Sequence, residues 1–188
     1  MRIIAGEARG RRLFAPEGMD TRPTSDRVRE ALFSIIARDV PDACVLDLFA
    51  GSGALSLEAL SRGAARATMV DKSPRAMAVI RRNVELMRVK DRVRTLTSDW
   101  KTAVARLESG YTLVMLDPPY AMTGVYAEAC RALLGRSLLR PGALVVMEHA
   151  AALKIEDLPD GLVVEDERRY RDTGLTLCRY RPGEERCV

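Results

Sequence analysis

Four aspartates, Asp47, Asp71, Asp99 and Asp117, fall where short apolar runs give way to turns or helices. The first run, Val45 to Phe49, breaks into Ala50-Gly51-Ser52-Gly53 and opens a helix at Ala54. Glycines at such a break remove side chains where the backbone turns sharply and something approaches it closely. The free N–H groups of the following helix aim at the same gap. Together these features form a cradle for a nucleotide-type cofactor, with the carboxylate of Asp47 near its mouth. Asp71 could accept two hydroxyls of a ribose, and Asp99 an adenine amino group with Trp100 against the ring. Any one of the four aspartates is equally well explained as a helix N-cap. Four at consecutive strand ends beside a glycine turn are not.

The elements that must position these groups are compatible with one globular domain, or one domain with an arm. The chain has 188 residues, 47% of them hydrophobic and 30% charged, enough to bury a sizeable core. A formal net charge of +4 permits a nucleic-acid partner without demanding one. Cys44, Cys130, Cys178 and Cys187 are scattered with no CxxC spacing, so neither a zinc site nor a disulfide framework is signalled and no metal is expected. Free thiols, the lack of an apolar leader and the lack of a membrane-length apolar run predict a cytoplasmic protein with no membrane partner.

Residues 1–42 read as a front section. Arg2–Ala5 and Arg12–Ala15 suggest a β-hairpin arm around Gly6 and Gly10, carrying Arg9, Arg11 and Arg12. A helix over Thr24–Arg38 follows from Val28, Leu32, Ile35 and Ile36 at helical spacing. Arg22, Arg27 and Arg29 gather at its start, where cations oppose the helix dipole. An anionic neighbour and a surface network with Asp26 and Glu30 both account for them, as phosphate gripping and plain solvation both account for the arm. From residue 43 to 188, strands and helices alternate as a doubly wound α/β sheet requires. Strands Cys44–Phe49, Ala67–Asp71, Arg92–Thr97 and Thr112–Leu116 are followed by helices Ala54–Arg62, Pro74–Arg88, Trp100–Leu107 and Val125–Leu134. Strand Ala143–Glu148 and two tail strands, Val163–Tyr170 and Leu175–Arg181, complete the pattern. The expected sheet is mostly parallel, with an antiparallel C-terminal strand.

The glycine loop lacks the third glycine of a dinucleotide fingerprint, for Ser56 stands there. Its D-x-F-x-G-x-G arrangement resembles the S-adenosylmethionine loop of class I methyltransferases, a Rossmann-like fold. Asp117-Pro118-Pro119-Tyr120 resembles the D/N-P-P-Y/F signature of methyltransferases acting on exocyclic amines of nucleobases. Chemistry supports that likeness. The lone pair of a base amine is delocalised into the ring, and Asp117 with the Pro118 carbonyl could accept its two hydrogens and free it. Two consecutive prolines fix φ and remove N–H donors, leaving carbonyls as the local polar groups. Tyr120 can stack on the base, a contact worth about 1–3 kcal/mol, and the reacting atoms must align at about 3–3.5 Å.

These motifs, with Met1–Gly6 and Thr21–Phe33, resemble the bacterial 16S rRNA (guanine-N2) methyltransferase D family over most of residues 1–149. The resemblance implies S-adenosylmethionine as donor and N2 of one guanine as acceptor. The substrate would be 16S rRNA of the small ribosomal subunit or its assembly intermediate, and the base would flip into the pocket. Nothing in the sequence suggests an obligate dimer, so a monomer is expected. An adenine-N6 methyltransferase is the alternative, since the same motif serves both amines. The implied cofactor contacts are Asp47, Phe49, Gly51, Gly53 and Leu55 on the first loop, then Asp71, Lys72, Asp99 and Trp100. Asp117, Pro118, Pro119 and Tyr120 would be catalytic, and Arg9, Arg11, Arg12, Arg22, Arg27 and Arg29 would hold RNA. His149 is expected to be structural.

Overall fold

A computed structural model describes residues 1–15 and 26–183; Arg22, the expected helix start at Thr24-Ser25 and Cys187 lie outside them. The elements are α1 (Asp26–Ile35), β1 (Cys44–Asp47), α2 (Ala54–Ser61), β2 (Arg66–Asp71), α3 (Pro74–Met87), β3 (Val93–Thr97), α4 (Trp100–Val104), β4 (Tyr111–Leu116), α5 (Val125–Gly135), β5 (Leu139–Ala150), β6 (Leu162–Tyr170) and β7 (Thr173–Tyr180). The strands form one sheet in the order β3-β2-β1-β4-β5-β7-β6. Neighbours from β3 to β5 are parallel, while β7 runs antiparallel to both β5 and β6. The C-terminal antiparallel part is therefore two strands. β5 starts earlier than its apolar run suggests, because Leu139 pairs with Tyr111 before a bulge restores the register at Leu113 and Leu144.

Apolar side chains on alternate faces of the strands build two cores. On one face Val45, Met69, Leu113 and Val146 pack against α1, α2 and α3; on the other Leu46, Val114, Val145 and Met147 pack against α4 and α5. Both faces of the parallel strands are covered, which is why these strands read as continuous apolar runs. The order in which successive strands are added reverses between β1 and β4, and a ligand site is expected beyond the carboxyl ends of the strands at such a switch point.

The arm is not a regular hairpin. One bridge, Arg2 to Arg12, joins its two sides through the Ile3 and Leu13 N–H groups, and four further backbone donors are spent on α2 instead. Ile4 and Ala5 N–H donate to the buried carboxylate of Glu58 at 2.8 and 3.0 Å. Glu7 and Ala8 N–H donate to the carbonyl and hydroxyl of Ser61 at 2.8 and 3.0 Å. Gly6 permits this approach: a Cβ there would stand 1.8 Å from the Ser61 carbonyl oxygen. Ile3 and Leu13 complete the contact by joining the core on the α2 side. Among the described residues, no helix is long and apolar enough to cross a membrane.

Candidate active site

At the switch point a cavity of about 710 Å³ opens, walled by residues from the ends of β1, β2, β3 and β4. Leu48 to Ser52, with Ala54 and Leu55, form one side; Asp71 to Ser73 and Ser98 to Lys101 form the next. Asp117 to Tyr120 and Met122 face them, and Met1, Ala15 and Arg29 close the arm end.

Three of the four aspartates line this space, and backbone donors fix Asp71 and Asp99. Asp71 accepts the Gly51 N–H on one carboxylate oxygen and the Ser73 N–H on the other, both at 2.8 Å. Each oxygen keeps lone-pair capacity for a diol. Asp99 caps α4 by accepting the Thr102 N–H at 3.0 Å; the Thr102 side chain first, and that N–H second, hold its carboxyl below the ordinary carboxylate range. It is both an N-cap and a wall of the cavity. Asp117 is half-buried on the opposite wall.

Asp47 departs from the expected placement. It is 1% exposed, does not line the cavity, and accepts the Ser56 hydroxyl at 3.0 Å and the Phe49 N–H at 3.4 Å. Burial pushes its carboxyl up to about 7, with Asp117 and Asp71 adding in the same direction. Asp47 thus supports the loop from behind rather than presenting a charge at the mouth. Ser56, which replaces the third glycine, is its partner.

The two glycines divide the work of the turn. Gly53, at φ +79°, is buried, and a Cβ there would press on Met69 at 3.2 Å, so its smallness serves helix packing rather than ligand contact. Gly51, at φ +55°, lines the cavity and a Cβ there meets nothing within 4 Å. A side chain at Gly51 would occupy space left for a ligand. Phe49, Leu55, Lys72 and Trp100 line the same space.

After β4, Pro118 is buried while Pro119 and Tyr120 are exposed. The Pro119 carbonyl accepts the Met122 N–H at 2.8 Å, closing the turn. The Tyr120 hydroxyl lies 3.3 Å from that of Thr173 at the start of β7, which ties the loop to the antiparallel strands. Behind it the Tyr126 hydroxyl donates to the Glu148 carbonyl at 2.8 Å; burial first, and Asp117 second, push that phenol up. His149 is 6% exposed; Nδ1 donates to the Ala150 carbonyl and Nε2 accepts the Thr176 hydroxyl, each at 2.9 Å. Its role there is to join β5 to β7.

The arginines separate into two groups. Arg9, Arg11, Arg12 and Arg27 are exposed, and Arg22 is outside the described residues. Arg29 is 0% exposed, which removes it as a surface phosphate contact. Its Nη2 donates to the Arg2 carbonyl and to Asp26, and Nε lies 3.9 Å from Glu58. Glu58 also holds Arg62 at 2.7 Å. Arg29 is an internal strut between arm, α1 and α2.

Asn83 escapes a reading by motif. It is fully buried on α3, accepts the Phe14 N–H at 2.8 Å, and donates to the carbonyls of Phe14 and Ser52 at 3.0 and 2.9 Å. One amide thus ties arm, helix and glycine loop together. Its signal was an amide among Met77, Ile80, Val84 and Met87 on the apolar face of a helix. Among the described residues no cluster of His, Cys, Asp or Glu is arranged to hold a metal ion.

Residues 1–179 match the family described as conserved hypothetical protein 95. The ribosomal RNA small subunit methyltransferase D of Escherichia coli K12 is 38% identical over 159 residues, covering 85% of this chain and 79% of that one. The structure of the Escherichia coli protein yhhF superposes with a TM-score of 0.87 at 33% identity, covering 96% of this chain and 98% of that one. An RNA methyltransferase of Salinibacter ruber, solved with S-adenosyl-L-homocysteine, shares the fold with a TM-score of 0.67 at 18% identity, over 87% of this chain and 96% of that one. The architecture is that of class I S-adenosylmethionine-dependent methyltransferases.

Proposed function

The chain belongs to the conserved hypothetical protein 95 family, that of the ribosomal RNA small subunit methyltransferases D, and from this premise we propose that it methylates the exocyclic N2 amine of one guanine in 16S rRNA, with S-adenosylmethionine as donor. The observation that carries the proposal is a single cavity walled on one side by Gly51, Asp71 and Asp99 and on the other by Asp117 to Tyr120. A donor site and an acceptor site would share this one cavity.

The residues present fit the cofactor. Gly51 leaves the space that a methionine portion needs, and α2 begins at Gly53 without a side-chain cap, so its first N–H groups are available to a carboxylate. Asp71 is set to accept the ribose diol, and Asp99 an adenine amino group beside Trp100. When bound, the cofactor supplies an electrophilic sulfonium methyl group. Asp117 and the Pro118 carbonyl accept the hydrogens of the acceptor amine and orient its lone pair, and Tyr120 holds the base by stacking. Positioning at near-attack distance supplies most of the rate in such a transfer. A base extruded into the cavity costs a few kcal/mol, least where it is already unpaired. The exposed arginines of the arm and Arg27 are the RNA contacts. This reading makes the protein a cytoplasmic monomer acting on the small subunit or its assembly intermediate.

The test is methyl transfer from labelled S-adenosylmethionine to small subunits from cells lacking this protein, followed by nucleoside analysis. Label recovered as N2-methylguanosine is expected. Label on adenine N6, or on a ribosomal protein, refutes the proposal.

A further inference from the structure

The arm does not stand alone on its face of the molecule. Arg11 Nη1 donates to the Leu86 carbonyl of α3 at 2.5 Å, and the Arg82 guanidinium lies 3.5 Å over the exposed ring of Phe14. With Asn83 holding both backbone polar groups of Phe14, arm and α3 form one continuous surface. Along the outer side of α3, Arg75, Arg81 and Arg82 are exposed, and Arg88 follows at the helix C-cap. Residues 75 and 82, like 81 and 88, are seven apart and so lie two turns along one side of the helix. Glu7 and Glu85 stand against them. Arg75, in the first turn of α3, opposes the helix dipole, a placement that solvation alone does not favour.

We infer that the outer face of α3 is an RNA-backbone track that continues the arm and leads to the arm end of the cavity. The inference rests on RNA being the substrate. A backbone running over this face meets guanidinium groups spaced along a rigid helix. Arg82 is held in place by the Phe14 ring, so less side-chain freedom is lost when a phosphate binds. The far end of the surface reaches Ala15, Met1 and Ser52, all of which line the cavity.

The experiment measures binding of transcribed 16S rRNA as a function of salt for the full chain. Arg75→Glu, Arg81→Glu and Arg88→Glu are combined, leaving Arg82 to hold the arm. A control combines Arg106→Glu, Arg136→Glu and Arg140→Glu, exposed arginines outside the track that make the same change in net charge. Thermal melting and S-adenosyl-L-homocysteine titration establish that both variants are folded. The slope of log affinity against log salt falls by about 2 in the α3 variant, at roughly 0.7 for each lost single-strand phosphate contact, and stays near the wild-type value in the control. An unchanged slope in the α3 variant, or an equal fall in the control, overturns the inference while leaving the proposed activity standing. Wild-type protein that shows no salt-dependent binding overturns both.

Discussion

Replacing Asp47 by asparagine tests how the glycine loop is supported. The carboxyl is fully buried, and burial pushes it up to about 7 from an ordinary value of 3.8. Between those values the folded protein keeps a proton that the unfolded chain has released. Stability therefore falls as pH rises through this window. At 1.36 kcal/mol per pH unit, the gap corresponds to a loss on the order of 4 kcal/mol between about pH 4 and pH 8. Asparagine fits the same bonds: its carbonyl oxygen accepts the Phe49 N–H, and its amide donates to the Ser56 oxygen once that hydroxyl turns away. Asp47→Asn should match the wild type near pH 4 and exceed it increasingly up to pH 8. Urea denaturation of both proteins across this range, without cofactor, measures the difference. A difference that stays flat with pH refutes the assignment of a protonated, inward-facing Asp47. The same variant reports on function, because a loop that needs the charge will bind S-adenosyl-L-homocysteine less well despite its greater stability.

Gly51→Val should abolish S-adenosyl-L-homocysteine binding in calorimetry, since its side chain enters the cavity, while strain at φ +55° costs about 1–2 kcal/mol of stability; unchanged binding would remove the loop from the cofactor site. Asp117→Ala should bind cofactor with near-normal affinity and transfer no methyl group to small subunits; ordinary turnover would take Asp117 out of the mechanism. Asn83→Ala should lower stability by about 2–3 kcal/mol in urea titrations, because one part-buried N–H and two part-buried carbonyls lose their partner, and should expose the arm to proteolysis. A loss below about 0.5 kcal/mol, typical of a surface substitution, would show that the three bonds do not couple the arm to the loop. Reversing Arg9, Arg11 and Arg12 to glutamate should flatten the salt dependence of rRNA binding by about 2; an unmoved slope would make the arm's charges mere solvation.

Alternation of apolar runs with amphipathic segments determined the doubly wound sheet and its approximate strand bounds, since strand and helix periodicity are local properties of the chain. Motif spacing likewise placed Asp71, Asp99 and Asp117 at or just past strand ends, and those ends lie along one edge of a parallel sheet, where they wall one cavity. Which way each side chain faces was not local. Asp47 and Arg29 carry charges that look available in the sequence, yet both are buried because partners distant in the chain, Ser56 for one and Glu58 for the other, draw them inward. The arm showed the same limit: its glycines and arginines suggested a hairpin packed on the core, but not that Ile4, Ala5, Glu7 and Ala8 N–H would donate to Glu58 and Ser61 some fifty residues away. Three-dimensional packing alone decided that Asn83 would join arm, α3 and glycine loop, for a buried amide finds partners by proximity in space, which its position in the chain does not encode.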